Sequence, residues 1–208
     1  MDEYHKIQTL FARDPETKFK TLLPTFSLPE FEFLQDCKWI FTEKVDGTNI
    51  RVNVDPIKGL TFGGRTDNAQ IPAKLIQVLR EIFDPLTARL QEDFPYGVTF
   101  YGEGYGAKIQ NGGKYRPDPS FVLFDVRVGS WWLERNNIAN ISQTYSLDLV
   151  PIVGTGNLDD LVDFCSIGFK SHWGDFLAEG VVARPTVELF SRKGERIITK
   201  LKYKDFLD

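Results

Sequence analysis

KWIFTEKVDGTNIRVNVD, residues 38–55, is the stretch on which the fold turns. Both halves are rich in aromatic and β-branched residues, and the Asp46-Gly47 step between them readily takes the positive φ angles of a tight turn. This pattern predicts a β-hairpin with Lys44 at a strand end. Downstream, GLTFGG (59–64) reads as a further short strand. In residues 73–94, Leu75, Ile76, Leu79, Ile82 and Phe83 recur at helical spacing, with Pro85 breaking or kinking the helix. GVTFYGEG (97–104) and SFVLFDVRV (120–128) are strand-like runs separated by a loop of Gly, Asn, Asp and Pro. Helices are expected around 134–145 and 158–165. The end returns to strands, LAEGVVARP and RIITKLKY, joined by a polar hairpin containing SRKGE. Strands bracketing helices in this irregular order predict an α+β fold of mainly antiparallel sheets flanked by helices.

Bulk properties limit what this fold can do. The chain has 208 residues, of which 42% are hydrophobic and 13% aromatic, enough for a proper core. No apolar stretch approaches the ~20 residues of a membrane helix, and the first residues, MDEYHKIQTLFARD, lack the apolar run of a signal peptide, so a cytoplasmic protein with no membrane partner is expected. Cys37 and Cys165 stand far apart with no CxxC, and His5 and His172 have no third partner; a catalytic metal must be held by oxygen. The net charge of -4 argues against binding nucleic acid by bulk positive charge. Basic residues do gather late, at Arg184, Arg192, Lys193, Arg196, Lys200, Lys202 and Lys204, on a solvated face or along one phosphate-facing groove. The paired Trp131 and Trp132 read as core residues at the start of a helical region. No linker with a change of composition is visible, so residues 1–208 read as one domain with 1–40 as an N-terminal arm.

The chemistry lies in an ordered set of short motifs: TEKVDGTNIRV around Lys44, YGEG with Glu103, FVLFDV with Phe124-Asp125, LAEGVVAR with Glu179 and Arg184, and ITKLKYK with Lys200 and Lys202. KxDG alone is compatible with an incidental lysine in a hairpin, and each acidic residue alone with an ordinary turn. Five such pieces in one order are not. The set resembles the covalent nucleotidyltransferases, the superfamily of polynucleotide ligases and mRNA-capping enzymes, over about residues 41–204. Glu43, KVDGTN with Asn49, and YGEGYGAKIQ followed by FVLFDV look most like the phage RNA ligase 2 branch; capping enzymes and most DNA ligases carry arginine where this chain has Asn49.

That resemblance implies an ATP-grasp-like nucleotidyltransferase domain that takes AMP from ATP onto Lys44, passes it to a 5'-phosphate, and seals the strand when a 3'-hydroxyl attacks. A free lysine has a pKa near ~10.4, so only about one in 2,500 is neutral at pH 7, and the site must favour the neutral amine. By resemblance, Lys200, Lys202 and a metal ion surround the phosphate, disfavour a charged Lys44 and stabilise charge on the phosphorus. Asp46, Glu103 and Glu179 are the implied metal-holding carboxylates, largely through water, a set suited to Mg²⁺ or Mn²⁺. Phe124 is the implied adenine platform, although alternation alone makes it a core residue. Glu43 is the implied reader of the base edge, with Asn49 and Arg65 on sugar and phosphate.

RNA ends, or a nicked duplex containing RNA, are the implied partners. A minimal DNA ligase, a guanylyltransferase that loads GMP, and a non-catalytic nucleic-acid-binding module are the alternatives. Arg184 departs from the lysine usual at the end of this branch's EGxxxK motif, a planar fork in place of a point charge. The chain stops just after TKLKYK, as expected either of a natural minimal ligase with no C-terminal accessory domain, for which a helper protein or domain is a candidate partner, or of a fragment of a longer protein.

Overall fold

The computed structural model describes residues 3–207. Contacts within the chain cluster into two compact units. One comprises Tyr4 with Asp46–Val150, the other His5–Val45 with residues from Pro151 onward.

The unit built on 46–150 is an antiparallel five-stranded sheet in the order β6-β5-β7-β8-β9. Its strands are β5 (Thr48–Asp55), β6 (Gly59–Gly63), β7 (Val98–Tyr105), β8 (Ser120–Val128) and β9 (Trp131–Trp132). Strand alternation sends Ile50, Val52 and Val54 to one face, where they bury against Leu75, Leu79 and Phe83 of α2 (Ala73–Phe83) and Ile138 of α4 (Arg135–Tyr145). Pro85 does interrupt the helix: α2 ends at Phe83, a 3-10 turn covers Asp84–Leu86, and α3 (Thr87–Asp93) follows. On the opposite face, Tyr4 sets its ring edge against Phe124 and Trp132 and donates its hydroxyl to the fully buried Asp125 at 2.8 Å.

The second unit carries a sheet in the order β1-β12-β11-β4-β10, antiparallel apart from the β1–β12 pair. Its strands are β1 (Gln8–Thr9), β4 (Trp39–Glu43), β10 (Ile152–Gly156), β11 (Gly180–Pro185) and β12 (Thr199–Lys202). Strands β2 (Phe11–Arg13) and β3 (Leu22–Phe26) form a separate pair, and α1 (Pro29–Phe33) follows them. Trp39, Phe41, Val181, Ala183 and Leu201 pack in one core with Leu10, Phe31 of α1, and Leu158, Leu161 and Cys165 of α5 (Leu158–Ile167). A capping box starts α5: Asn157 accepts from the Asp160 amide and Asp160 from the Asn157 amide, both at 2.9 Å. The first forty residues contribute to this core. They supply an edge strand and the core residues Leu10, Phe31 and Trp39.

Two expectations fail here for physical reasons. The 38–55 stretch is not a hairpin, because β4 pairs with β10 and β11 whereas β5 pairs with β6 and β7. Gly47 is needed for close approach, not for a positive φ: a Cβ there would lie 2.3 Å from the Gly104 carbonyl oxygen. Trp131 is also not a core residue. It sits on the short edge strand β9 and is 74% exposed, while Trp132 packs at 5.0 Å against Tyr101.

Candidate active site

Lys44 follows the last residue of β4, and its backbone N–H donates to the Gly180 carbonyl at 2.9 Å. The register Thr42↔Val182↔Lys200 brings β4, β11 and β12 side by side, with Gly180 opposite Lys202. Alternation along β12 turns Leu201 into the core and leaves Lys200 and Lys202 on the other face. Glu179, just before β11, receives Lys44 Nζ on Oε2 and Lys202 Nζ on Oε1, each at 2.6 Å. Burial raises the Glu179 pKa, but the charges and hydrogen bonds of Lys44 and Lys202 outweigh it and hold the carboxyl below its ordinary value. Glu179 is therefore a fixed anion between two ammonium groups. Gly180 is required at this point, because with φ +158 a Cβ would meet the Leu201 carbonyl oxygen at 2.1 Å.

Glu43 is 2% exposed, and both carboxylate oxygens accept hydrogen bonds from its own unit: Ser171 Oγ at 2.6 Å and the His172 amide at 2.9 Å. Arg184 is also buried. It lies 3.5 Å from Glu188, the carboxylate that takes the fork of Arg196 at 2.8 Å, so two guanidiniums share one anion.

The other predicted residues belong to the first unit. Asp46 accepts Asn111 Nδ2 at 2.8 Å, and its amide donates to the Tyr115 hydroxyl at 3.1 Å. Asn49 and Glu103 are register partners across β5 and β7, and Asn49 Oδ1 is buried with no hydrogen-bond partner. An orphaned buried acceptor is costly unless a donor reaches it, so this oxygen is open to a donor from outside the chain. Arg65 is exposed beyond the end of β6. Phe124 is the extra residue of a β-bulge: Tyr101 faces Asp125 and Gly102 faces Leu123, so Phe124 has no partner across the ladder. It lies outside the hydrophobic core, half-buried, with its ring 5.1 Å from that of Tyr4. Among the described residues, no three His, Cys, Asp or Glu side chains converge as a metal cage.

Comparison with known proteins decides the family. The RNA ligase family model matches residues 37–202, most of the chain. The chain belongs to the RNA ligase family. No curated protein sequence matches it. Among solved structures, it is similar to RNA ligase variants from Naegleria gruberi. One, with AMP and Mn, has a TM-score of 0.72 at 14% identity over 100% of this chain and 57% of that one. Another, with ATP and Mn, gives 0.70 at 14% over 97% and 56%. A third, also with ATP and Mn, gives 0.67 at 16% over 86% and 53%. The chain therefore spans a little over half the length of these ligases, and at such identity the likeness carries the fold.

In this RNA ligase family member, the structure brings three of the residues named from the sequence, Lys44, Glu179 and Lys202, into direct contact. The sequence reading missed Ser171, Asn111, Tyr115 and Tyr4. Ser171 sits in FKSHWGD, where nothing in the local pattern separates it from an ordinary turn serine. Only the return of residues 169–178 to the end of β4 reveals its partner.

Proposed function

We propose that this chain is the adenylylating domain of an ATP-dependent RNA ligase, with Lys44 as nucleophile. The observation that carries the reading is the pair of 2.6 Å contacts that bind Lys44 and Lys202 to one carboxylate, Glu179. These contacts fix the Lys44 Nζ beside a second cation, the positioning that nucleotidyl transfer to an amine requires once the proton has left.

In the first step, the Lys44 ammonium gives one proton to solvent, and the neutral amine forms a bond to the α-phosphorus of ATP and sheds a second proton to solvent as the bond to the bridging oxygen breaks and pyrophosphate leaves. Glu179 stays anionic because its pKa is held down, so it orients the Lys44 Nζ instead of keeping its proton. Lys202, and Lys200 on the same face, supply positive charge for the phosphoryl oxygens. Asp46, Glu103 and Glu179 would hold a Mg²⁺ or Mn²⁺, which would offset the charge of the triphosphate. Asn49 and Arg65 are assigned to sugar and phosphate, Phe124 to the purine face, and Arg184 to the nucleotide. In the second step a 5'-phosphate oxygen attacks the lysine-bound phosphorus, the P–N bond breaks and Lys44 regains its two protons from solvent. In the third, a 3'-hydroxyl attacks the 5'-phosphate and gives its proton to solvent, forming the phosphodiester as the bridging P–O bond breaks and AMP leaves.

RNA ends or an RNA-containing nick, acted on in the cytoplasm with a helper protein or domain, complete the proposal. Among the described residues, no helix is long and apolar enough to cross a membrane. The test is incubation with labelled ATP and Mg²⁺ or Mn²⁺. The expected result is a labelled protein, with Lys44→Ala unlabelled. Label retained in that variant moves the nucleophile elsewhere, label from GTP alone favours a capping enzyme, and sealing of DNA nicks alone favours a DNA ligase.

A further inference from the structure

Residues 169–178 form a small hairpin. The Ala178 amide donates to Phe169 O at 2.9 Å, Lys170 and Leu177 make an antiparallel bridge, and the Ser171 amide donates to Phe176 O at 2.8 Å. The hairpin runs directly into Glu179, the carboxylate that holds Lys44 and Lys202. It is pinned at its tip side to Glu43, the residue immediately before Lys44. Ser171 Oγ donates to Glu43 Oε1 at 2.6 Å while accepting the Trp173 amide at 3.1 Å, and the His172 amide donates to Glu43 Oε2. Glu43 and Ser171 are 2% and 6% exposed, so these charge-assisted bonds are sheltered from water.

We infer that Glu43 and Ser171 are positioning residues for the reaction at Lys44, with the Glu43 carboxylate tying the 169–178 hairpin to the nucleophile's strand and thereby fixing Glu179 against Lys44. One end of the tie precedes the nucleophile by one residue; the other lies eight residues before its partner carboxylate. The hydrogen bond that the Lys44 amide donates to the Gly180 carbonyl closes the same loop of contacts from the far side of Glu179. A carboxylate with both oxygens engaged in this way acts through the backbone it holds and does not read a base edge. The inference rests on Lys44 being the nucleophile. Its expected size follows from positioning: displacement of reacting groups by ~1 Å costs up to about a hundredfold in rate.

The experiment compares Glu43→Gln, Ser171→Ala, the double variant and Ser171→Thr with the unaltered chain. It reads the rate of Lys44 labelling at saturating ATP, the ATP concentration for half-maximal rate, and the preference for ATP over GTP. The expected result is a fall of about ten- to a hundredfold in maximal rate for each single variant. The double variant should be no slower than the worse single one, Ser171→Thr should restore the rate, and half-maximal ATP and base preference should stay within about twofold. A Glu43→Gln variant with relaxed base preference or weakened ATP use, beside an unaffected Ser171→Ala, overturns the inference; so does an unchanged rate in both. Hydrogen exchange at the His172 amide separates this outcome from failure of the ligase reading. Protection lost in Glu43→Ala but kept in Lys44→Ala demonstrates the tie even if no nucleotide labels the protein, and protection unchanged in Glu43→Ala refutes it.

Discussion

Replacing Glu179 with glutamine removes a carboxylate that stands between two ammonium groups, and its consequence for stability can be worked through in sign and size. Each contact is a charge-assisted hydrogen bond at 2.6 Å. Such bonds contribute ~1.5–3 kcal/mol when sheltered. The Lys44 and Lys202 side chains are 21% and 25% exposed, so water screens part of this, and the two contacts share one anion. Glutamine keeps one acceptor oxygen but turns an NH₂ toward the other ammonium. A net loss of about 2 kcal/mol at pH 7 is expected. The folded-state pKa of Glu179 lies below its ordinary value of 4.5, so the unfolded chain takes up the proton first as pH falls. The stability that Glu179 contributes is therefore complete above pH 4.5 and is lost below it, no faster than ~1.4 kcal/mol per pH unit. Urea unfolding of both proteins from pH 7 to pH 3 measures this: the gap between them should hold steady down to about 4.5 and then close. A gap that is absent at pH 7, or that widens in acid, would refute the picture of Glu179 as an anion held by two lysines.

Four further outcomes follow from the geometry. Gly47→Ala forces a Cβ to within 2.3 Å of the Gly104 carbonyl oxygen and should lower stability by about 1–3 kcal/mol in thermal unfolding, whereas Gly59→Ala, with nothing within 4 Å of its Cβ but φ +76, should lose only about 1–2. Tyr4→Phe removes a donor from the fully buried Asp125 and should cost about 1–3 kcal/mol in urea unfolding; an unchanged midpoint would contradict that contact. Burial, with the hydrogen bond to Asp93, pushes the Tyr145 phenol up to about 12 from 10.0, so the unfolded chain loses that proton first. Stability from Tyr145 should be complete below pH 10 and fade between 10 and 12, a loss absent in Tyr145→Phe. Asn49→Ala removes an acceptor that has no internal partner, so its stability should stay within about 0.5 kcal/mol while the ATP needed for half-maximal labelling rises; unchanged ATP dependence would release Asn49 from the nucleotide.

The candidate residues around Lys44, and most of the elements carrying them, are legible in the amino-acid order. Helical spacing and Pro85 locate α2 and its end, alternation locates β5, β7, β8 and β11, and the ordered motifs pick out Lys44, Glu179 and Lys202, because each signal is local to a few residues. Pairing between distant strands is not local. Asp46-Gly47 suits a tight turn, yet β4 finds its partners in β10 and β11 and β5 in β6 and β7, more than a hundred residues away in the first case. One extra residue in β8 flips the alternation between Leu123 and Val126, both in the core, and so takes Phe124 out of it. The burial of Glu43 depends on a serine 128 positions further along the chain. Sequence alone determined which groups are available, since composition and short-range spacing encode them. Tertiary structure decided which sheet each strand joined and which face each side chain took, because those depend on hydrogen-bond register and packing between segments that the chain itself keeps far apart.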